Sequence, residues 1–393
     1  MCMKSSEFSR RRWLAAGAAL TLSPLAARAA VPALATPAAA PALATPAAAS
    51  AQPTPAAQGR FAALSRPALP VREPGKAVLL AAARAGSRVV AVGERGLVAL
   101  SDDDGQSWRQ ARTPSSTTLT AVHLVDRSTG WAIGHGGVIL ATQDGGENWV
   151  VQADGRQLAQ LAHAAAQARS TAADPRAAAS LKDAALLVTD GPDKPLLDLH
   201  FTDSQRGVVV GAYNLFFETS DGGRTWTSAL DRLDNPKSQH LYAVRSRGDT
   251  WLLAGEQGLL FRSRDGGKTF QRLASPYAGS WFALAASHGL ATQGEWFLAG
   301  LRGHVFRTTD DGDTWAAVTG APPASFVSAA ALPDGRVLLA NQAGQIFIGK
   351  GAAALVALPV PNLPPLSQVL PLAGGDLLGL GLAGAMRLPG KPS

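Results

Sequence analysis

The chain has 393 residues, with 36 Lys and Arg against 29 Asp and Glu and a formal net charge of +7. Its single cysteine excludes an internal disulfide framework, and the chain lacks the dense Lys/Arg stripe with interleaved aromatic residues that would favour nucleic-acid binding. Length alone allows one large core or two ordinary ones.

Residues 1–29 have the features of an export signal. Ser9-Arg10-Arg11-Arg12-Trp13-Leu14 precedes a short apolar run, and Ala27-Arg28-Ala29 has the small-x-small pattern of a signal-peptidase site. The tandem arginines are typical of twin-arginine export, and the apolar run is too short to span a bilayer as a mature helix. We therefore expect a periplasmic protein whose mature chain has no transmembrane segment. Its 31 basic and 28 acidic residues give a net charge of +3.

Residues 30–58 consist mainly of Ala, Pro and Thr, and PALATPAAA occurs twice in succession, at 32–40 and 41–49. Proline at this density denies a helix or a sheet its amide donors. We predict a flexible linker between the export signal and a folded domain over residues 59–393.

A hairpin unit recurs seven times in that domain, as in AVGERGLVALS (91–101) and LAGEQGLLFRS (253–263). The units follow one another at intervals of about 40–45 residues, and one longer interval contains an insertion. Each unit holds four strand-like runs, which predicts an all-β, seven-bladed β-propeller, whereas a β-sandwich has no reason to repeat at this period. The turns begin and end with Gly, or with Asn at Asn341 and Asn214, which indicates a need for positive φ.

The seventh unit is incomplete, since only GKPS follows Pro389. An open sheet edge is costly, so we expect another segment to close the ring. Phe61-Ala62-Ala63-Leu64 precedes the first blade, and we predict that it donates the closing strand.

Five loops follow the Asp-box pattern Ser/Thr-x-Asp-x-Gly-x-Thr-Trp/Phe at the spacing of the blades. We expect the Asp to accept hydrogen bonds from amides of its own loop, the Gly to supply the turn, and the aromatic residue to cover the space between blades. The residues that define the loops are Asp103, Gly105, Trp108, Asp144, Gly146, Trp149, Asp221, Gly223, Trp226, Asp265, Gly267, Phe270, Asp310, Gly312 and Trp315.

Calcium binding is the alternative for these loops, because SDDDG at 101–105 is similar to the start of an EF-hand loop. The bidentate Glu of that loop is missing, and the other copies hold only one or two carboxylates. We therefore predict a structural role, with no metal site and no catalytic residue among them.

The turns between the second and third strands place polar side chains on one rim of the propeller. A mixed polar rim of this kind suits a protein partner, and ordinary solvated turns are the alternative. The candidate binding residues are Glu94, Arg95, His135, Tyr213, Glu256, Gln257, Arg302 and Gln342.

The longest interval contains an Ala-rich insertion, at about 153–194, with two helical stretches broken at Asp174-Pro175. We expect this hairpin to leave the propeller on the rim of the turns, as a lid, a docking arm or a tolerated insertion. In the first stretch, Leu158, Leu161 and Ala165 are predicted to share one face. In the second stretch, Leu181, Ala185 and Leu186 are predicted to share one face.

A sialidase-like glycoside hydrolase is the competing class, because Asp boxes occur in such enzymes. That chemistry would need an arginine triad, a Tyr nucleophile with a Glu base, and an Asp acid. The chain offers only Tyr213, Tyr242 and Tyr277, and its inward strands contain mainly Ala, Val and Leu. We therefore predict a protein that is not an enzyme and needs no cofactor.

The recurrent VGxxGxVxxS-x-DGGxTW pattern, with seven repeats and a twin-arginine-like leader, resembles the photosystem II stability/assembly factor family of BNR-repeat propellers over about residues 70–390. The resemblance implies a factor that holds membrane-protein subunits during assembly on the exported side of the membrane. It also implies an arginine-rich patch, for which Arg95 and Arg302 are candidates by location. In a host without a photosystem, the partners would be an envelope complex or transporter components. We expect a monomer.

Overall fold

The computed structural model describes residue 59 and residues 61–170, 175–287, 295–361 and 363–390. These residues belong to one compact unit, Pro53–Ser393. The predicted export signal (1–29) and linker (30–58) lie outside the described residues.

The described strands form seven antiparallel sheets, which follow the order of the chain; six have four strands and the last has three. The first strands are β1 (Leu79–Ala85), β5 (Leu119–Leu124), β9 (Leu196–Phe201), β13 (Leu241–Arg247), β17 (Trp281–Ser287), β21 (Phe326–Ala331) and β25 (Leu366–Pro371). The second strands are β2 (Arg88–Gly93), β6 (Gly130–Gly134), β10 (Gly207–Gly211), β14 (Thr250–Gly255), β18 (Glu295–Gly300), β22 (Val337–Asn341) and β26 (Leu377–Gly381).

The third strands are β3 (Val98–Ser101), β7 (Ile139–Thr142), β11 (Phe216–Thr219), β15 (Leu260–Ser263), β19 (Val305–Thr308), β23 (Ile346–Gly349) and β27 (Gly384–Leu388). The fourth strands are β4 (Arg109–Gln110), β8 (Val150–Ala153), β12 (Thr227–Ser228), β16 (Gln271–Arg272), β20 (Ala316–Ala317) and β24 (Val356–Ala357).

The first strands of successive sheets adjoin one another, and β25 adjoins β1, so the sheets form a closed ring of seven blades. Seven buried clusters lie one at each junction between neighbouring blades. The second strands are apolar almost throughout because both of their faces are buried against neighbouring blades. The predicted all-β propeller is confirmed.

Every first strand carries a β-bulge at its second residue. A bulge bends a strand and changes the direction of a side chain. The bulged residues are half-buried, and they stand at the end of the first strand that lies beside the turn between strands two and three. They are Leu80, Thr120, Leu197, Tyr242, Phe282, Val327 and Ser367.

The glycine that begins each turn has a different role from the one predicted. Gly93 is extended, with φ −163°, and Asn341 has no positive φ either. A Cβ on Gly93 would lie 2.0 Å from the Val78 carbonyl oxygen, so glycine is needed for close approach of the backbone. Positive φ occurs later in the turn, at 75° for Gly96 and 64° for Asn214.

The predicted closing strand is wrong for the segment that was named. Ala62–Leu64 forms a 3-10 turn, and Leu64 packs in the cluster between blades 1 and 2. The Ala63 carbonyl oxygen accepts hydrogen bonds from the Ser116 amide (2.8 Å) and the Ser115 hydroxyl (3.0 Å), which holds the segment away from blade 7. Among the described residues, no strand pairs with the free edge of β27.

Blade 7 joins blade 1 through side chains. Leu378 and Leu380 pack with Leu79 and Ala91 in one buried cluster. A 3-10 turn at Pro74–Lys76 lies against β27, where a Cβ on Gly384 would be 2.2 Å from the Gly75 oxygen. The segment before blade 1 therefore contributes to closure, but with a 3-10 turn instead of a strand.

The insertion folds into helices α1 (Gly155–Arg169) and α2 (Pro175–Asp190). Asp154 caps α1 by accepting hydrogen bonds from the amides of Arg156 and Gln157, and the Gln157 side chain accepts one from the Asp154 amide. The buried residues are Leu158, Ala159, Ala162, Ala166, Ala184 and Leu187.

The predicted faces of these helices were partly wrong. Leu158 is buried, but Leu161 and Leu186 are exposed, because α1 packs through Leu158, Ala162 and Ala166, and α2 turns Ala184 and Leu187 inward. This buried face joins the cluster between blades 2 and 3, which includes Trp226.

Candidate functional site

The face of the ring that carries the turns between strands two and three is called the turn face, and the opposite one, with the Asp boxes, the box face. Alternate connections of an antiparallel blade lie at opposite ends, so the two sets of loops cannot share a face. Each turn is fixed by the same contact in blades 1 to 6: the residue after the first Gly or Asn donates its amide to the carbonyl before the blade's first strand, as Glu256 does to His240 (2.9 Å).

The eight candidate rim residues all lie in these turns. Glu256 is half-buried and the other seven are exposed, and the set is distributed around the ring. Arg95, Tyr213, Gln257 and Arg302 take left-handed conformations, with φ of 51–56°. Arg95 and Arg302 lie in blades 1 and 5, and no shared contact joins them. Tyr213 and Glu256 are linked, because both form a hydrogen bond with His240.

Four rings on blades 3 to 5 form a continuous row, which we name the aromatic mouth: Tyr213, His240, Tyr242 and Phe282. Centroid separations along the row are 4.9 Å, 6.1 Å and 5.2 Å. The His240 Nδ1 accepts a hydrogen bond from the Tyr213 amide (3.2 Å), and the His240 amide donates to Glu256 Oε2 (3.2 Å). Tyr242 and Phe282 occupy bulged positions of the first strands, which are the innermost strands of blades 4 and 5, so the row runs from the rim towards the centre of the ring.

The electrostatics of the aromatic mouth are acidic. Burial, followed by the nearby Glu256 carboxylate, raises the pKa of Tyr242 above its ordinary value. Lys194 Nζ lies 5.1 Å from the centre of the Tyr213 ring, and it pairs with Asp190 (3.0 Å) and Asp193 (2.6 Å). Lys194 thus pairs with both aspartates beside Tyr213, and Glu256 is the carboxylate that adjoins His240.

A second polar group lies deeper in the ring, on the first strands of blades 2 to 4. The His123 and His200 rings meet edge to face at 5.4 Å, and His200 Nε2 is 2.8 Å from the Ser246 hydroxyl. Asp198, which is buried, accepts hydrogen bonds from the Val244 amide (2.9 Å) and the Arg245 guanidinium.

We call this set of residues the axial group: His123, Asp198, His200, Arg245 and Ser246. Burial displaces the pKa values of its two histidines and its aspartate. Burial, followed by the charge of Arg245, lowers the pKa of His123 to about 4. Burial, His123 and Arg245 lower the pKa of His200 well below its ordinary value. Burial also raises the pKa of Asp198 in spite of Arg245. Both histidines are therefore neutral at physiological pH.

This axial group was missed from the sequence, where the inward strands were expected to be Ala, Val and Leu. The available signal was a polar residue at the fifth place of three first strands: His123 in LTAVHL, His200 in LLDLHF and Arg245 in LYAVRSR. The first strands of blades 5 to 7 have Ala or Leu there. At this fifth position, polar side chains are thus confined to blades 2 to 4, which share blades 3 and 4 with the aromatic mouth.

The Asp boxes are closed hydrogen-bonded loops. In blade 3, Asp221 Oδ1 accepts from the Thr219 hydroxyl (2.9 Å) and the Thr225 amide (2.9 Å), and Oδ2 accepts from the Thr225 hydroxyl (2.7 Å). The same three contacts recur at Asp103, Asp265 and Asp310. They recur also at Asp144 in blade 2, where the side-chain amide of Asn148 takes the place of the last hydroxyl.

The loop donors stabilise the charged form of each box carboxylate. Hydrogen bonds from the Thr225 hydroxyl and then its amide lower the pKa of Asp221 to about 2. The second glycine of each box has positive φ, from 81° at Gly105 to 93° at Gly312. Among the described residues, no group of three or more His, Cys, Asp or Glu could hold a metal ion.

The aromatic residue of each box packs at the junction with the preceding blade. Trp108 lies in the cluster of blades 7 and 1, and Trp149 in that of blades 1 and 2. Trp226, Phe270 and Trp315 occupy the next three junctions. The box face is thus occupied by contacts that hold neighbouring blades together.

The helical hairpin starts at the turn face. A Cβ on Gly137 would lie 2.6 Å from the Gly155 Cα, so α1 begins directly beside the turn of blade 2. Contacts with blade 3 and the connection after it fix the hairpin: Arg169 pairs with Asp231 (3.2 Å), and the Ser238 hydroxyl donates to Asp183 (3.3 Å). In the part of the chain that is described, no helix is long and apolar enough to cross a bilayer.

Known proteins that are similar to this chain agree with the propeller fold. Residues 184–350 match the model of the family described as Photosynthesis system II assembly factor YCF48. The Photosystem II assembly lipoprotein Ycf48 of Synechococcus sp. (strain CC9902) is 36% identical over 77 residues, which are 20% of this chain. The match spans 23% of that relative's length.

Two solved structures show the likeness in three dimensions. YCF48 bound to a D1 peptide superposes with a TM-score of 0.55 at 14% identity, covering 84% of this chain and 100% of the other. The GH74 xyloglucanase from Xanthomonas campestris superposes with a TM-score of 0.53 at 11% identity, covering 80% of this chain and 52% of the other. Identities this low show the fold alone. The repeats, the family match over residues 184–350 and the seven-bladed ring make the chain similar to the BNR-repeat propellers of the photosystem II assembly factor family.

Proposed function

We propose that the protein is an exported, non-enzymatic scaffold that assists assembly or stability of a membrane protein complex, and that its turn face binds the partner. The family match supports this role, as does the relative named as an assembly lipoprotein. The solved YCF48 structure contains a peptide of D1, so a propeller of this fold binds a polypeptide segment. Partners here are subunits of a membrane protein complex, or envelope transporter components where the host has no photosystem.

The observation that carries the choice of face is the contrast between the two sides of the ring. On the box face, Asp-box carboxylates and aromatic rings are engaged within their own loops and blade junctions. On the turn face, seven of the eight candidate side chains are exposed, and the aromatic mouth extends from the rim to the first strands of blades 4 and 5. Exposed aromatic and polar groups around an opening are suited to recognition of a protein.

A glycosidase is the weaker alternative. The raised pKa of Tyr242 disfavours the phenolate that a Tyr nucleophile requires. The first strands carry three arginines. Arg245 pairs with Asp198, Arg247 pairs with Asp311 (3.0 Å), and Arg84 donates to the oxygens of Pro371 and Gly86, so all three guanidinium groups are already engaged within the protein. We therefore propose that the protein binds a partner and needs no cofactor.

Affinity capture from the native envelope tests the function and the face together. The full chain should capture a membrane-complex subunit, and Arg95→Gln with Arg302→Gln should capture less. The matched control is Arg224→Gln with Lys268→Gln, which removes two exposed cations from the box face and should leave capture unchanged. Capture of no membrane protein by the unaltered chain would refute the proposed function. Equal losses in both double variants would refute the choice of face.

A further inference from the structure

The aromatic mouth differs from the corresponding positions around the rest of the ring. The equivalents of Tyr242 and Phe282 in the other blades are Leu80, Thr120, Leu197, Val327 and Ser367, and the equivalents of Tyr213 are Arg95, Gly136, Gln257, Arg302, Ala343 and Ala383. Structural needs are common to all blades, so a row of rings confined to blades 3 to 5 indicates a function beyond propeller stability.

The backbone of the mouth is held in an unusual conformation. Tyr213 has φ 53° and ψ 43°, a region that bulky residues rarely adopt, and Asn214 follows it at φ 64°. His240 fixes this conformation by accepting the Tyr213 amide, and the ring of Tyr213 remains half exposed. Arg95, Gln257 and Arg302 take the same conformation in their turns, so what is particular to blade 3 is the aromatic ring that this conformation holds at the rim.

The charges of this sector indicate which ligand the rings would accept. Tyr213 already holds one ammonium group, that of Lys194, over its ring. No described cation lies over Tyr242 or Phe282, whose rings are part-exposed. The Glu256 carboxylate accepts the amide of His240, whose ring lies 6.1 Å from that of Tyr242. Aromatic faces next to a carboxylate attract a Lys or Arg side chain, which can lie over the rings and pair with the carboxylate.

We propose that the aromatic mouth is a binding site for a Lys or Arg side chain, carried by an extended segment of the partner protein. The cation would lie over Tyr242 and Phe282 and pair with Glu256. An apolar segment would gain from the rings but would leave the Glu256 carboxylate with the His240 amide and no cation, and an acidic segment would be repelled by that carboxylate. This inference rests on the proposed function for the existence of a polypeptide partner.

The tyrosine content of the chain gives a direct test. The chain has three tyrosines, of which Tyr213 and Tyr242 are in the mouth. The third, Tyr277, stacks on His304 at 3.7 Å and serves as an internal control. Protein labelled with 3-fluorotyrosine should give three fluorine NMR signals, which single Tyr→Phe variants would assign. The probe is the peptide Ac-Gly-Ala-Arg-Ala-Gly-NH2, with Gln and Leu peptides in which only the central residue differs.

The arginine peptide should shift the Tyr242 signal saturably, with a smaller effect on Tyr213 and none on Tyr277. Glu256→Gln should weaken that binding by about fivefold, as expected for loss of a partly exposed charge pair. Asp249→Asn removes an exposed carboxylate from the opposite end of the same blade and should leave binding unchanged. Phe282→Leu keeps an apolar side chain but removes the ring, and it should weaken the arginine peptide more than the leucine peptide.

Two outcomes would overturn the inference. The first is that the leucine peptide binds as tightly as the arginine peptide. The second is that Glu256→Gln, with the same thermal unfolding as the unaltered chain, binds the arginine peptide with full affinity. Envelope capture separates this failure from failure of the function. Equal capture by Glu256→Gln and the unaltered chain would refute the cation site and leave the scaffold role intact. If no partner is captured at all, the function fails, and the peptide titration still decides the chemistry of the mouth.

Discussion

The side chain of Gln368, in the first strand of blade 7, forms two hydrogen bonds with the backbone of Ala82, in the first strand of blade 1. Its Oε1 accepts from the Ala82 amide, and its Nε2 donates to the Ala82 oxygen (3.2 Å). Two other junctions use the same relationship: Asp198 accepts the Val244 amide, and Ser328 accepts the Val369 amide (3.2 Å). At the junction where the ring closes, one amide side chain satisfies both backbone groups.

Replacement of Gln368 by Leu should weaken ring closure. The variant keeps most of the side-chain volume but leaves the amide and oxygen of Ala82 unpaired, which should lower the free energy of unfolding by about 1–3 kcal/mol. Urea unfolding followed by tryptophan fluorescence measures the change. Gln160→Leu, at an exposed position of α1, is the matched control and should change stability by less than about 0.5 kcal/mol. Equal stability of both variants would show that the contact does not contribute.

The Asp boxes should make the propeller sensitive to strong acid. The pKa of Asp221 falls from 3.8 to about 2 on folding, so the unfolded chain binds more protons between these values. The stabilisation that Asp221 contributes is therefore complete above about pH 4 and is lost as the pH falls towards 2. The measurement is the urea midpoint at several pH values from 5 to 2. Asp221→Asn should be less stable at pH 5 and show a smaller further loss; a loss as large as that of the unaltered chain would contradict this assignment.

Protonation of the axial histidines should cause a second decline in folding stability, at milder pH than that of the Asp boxes. The pKa of His123 is about 4 in the folded protein and 6.5 ordinarily, so the unfolded chain again binds more protons within this window. Folding stability should fall by about 2–3 kcal/mol as the pH drops from about 6.5 to 4. His123→Phe retains an aromatic ring without a titrating group, and a shallower slope is expected in urea titrations over this range. An unchanged slope would exclude His123 as its source.

Close backbone approach should make the first glycine of a turn sensitive to a single methyl group. A Cβ at Gly255 would lie 2.2 Å from the His240 carbonyl oxygen, so Gly255→Ala must displace the backbone beside the aromatic mouth. We expect a loss of about 2–3 kcal/mol in the free energy of unfolding. Gly374 has no atom within 4 Å of its would-be Cβ, and Gly374→Ala should be nearly neutral in the same urea measurement. Similar losses for the two would refute the close-contact explanation.

Periodic features of the sequence were sufficient to predict the ring, because each blade repeats the same glycines and strand pattern at a regular spacing. The closing segment was not predictable in this way. Phe61–Leu64 has no repeat partner, and its conformation depends on Ser115 and Ser116, donors about 50 residues away in sequence. Only the ring geometry brings His123, His200 and Ser246 together from three blades. The role of Gly93 was misjudged because a clash with another strand leaves no trace in local sequence.

The two faces of α1 provide the last test, because sequence periodicity grouped Leu158 with Leu161 and the structure separates them. Leu158 is 1% exposed within the cluster of blades 2 and 3, whereas Leu161 is 36% exposed. Leu158→Ala should cost about 2–5 kcal/mol through lost burial and a cavity, and Leu161→Ala less than about 1 kcal/mol. Both changes keep helix propensity high, so urea unfolding of the pair compares burial alone. Equal costs would mean that the hairpin is not packed through this face.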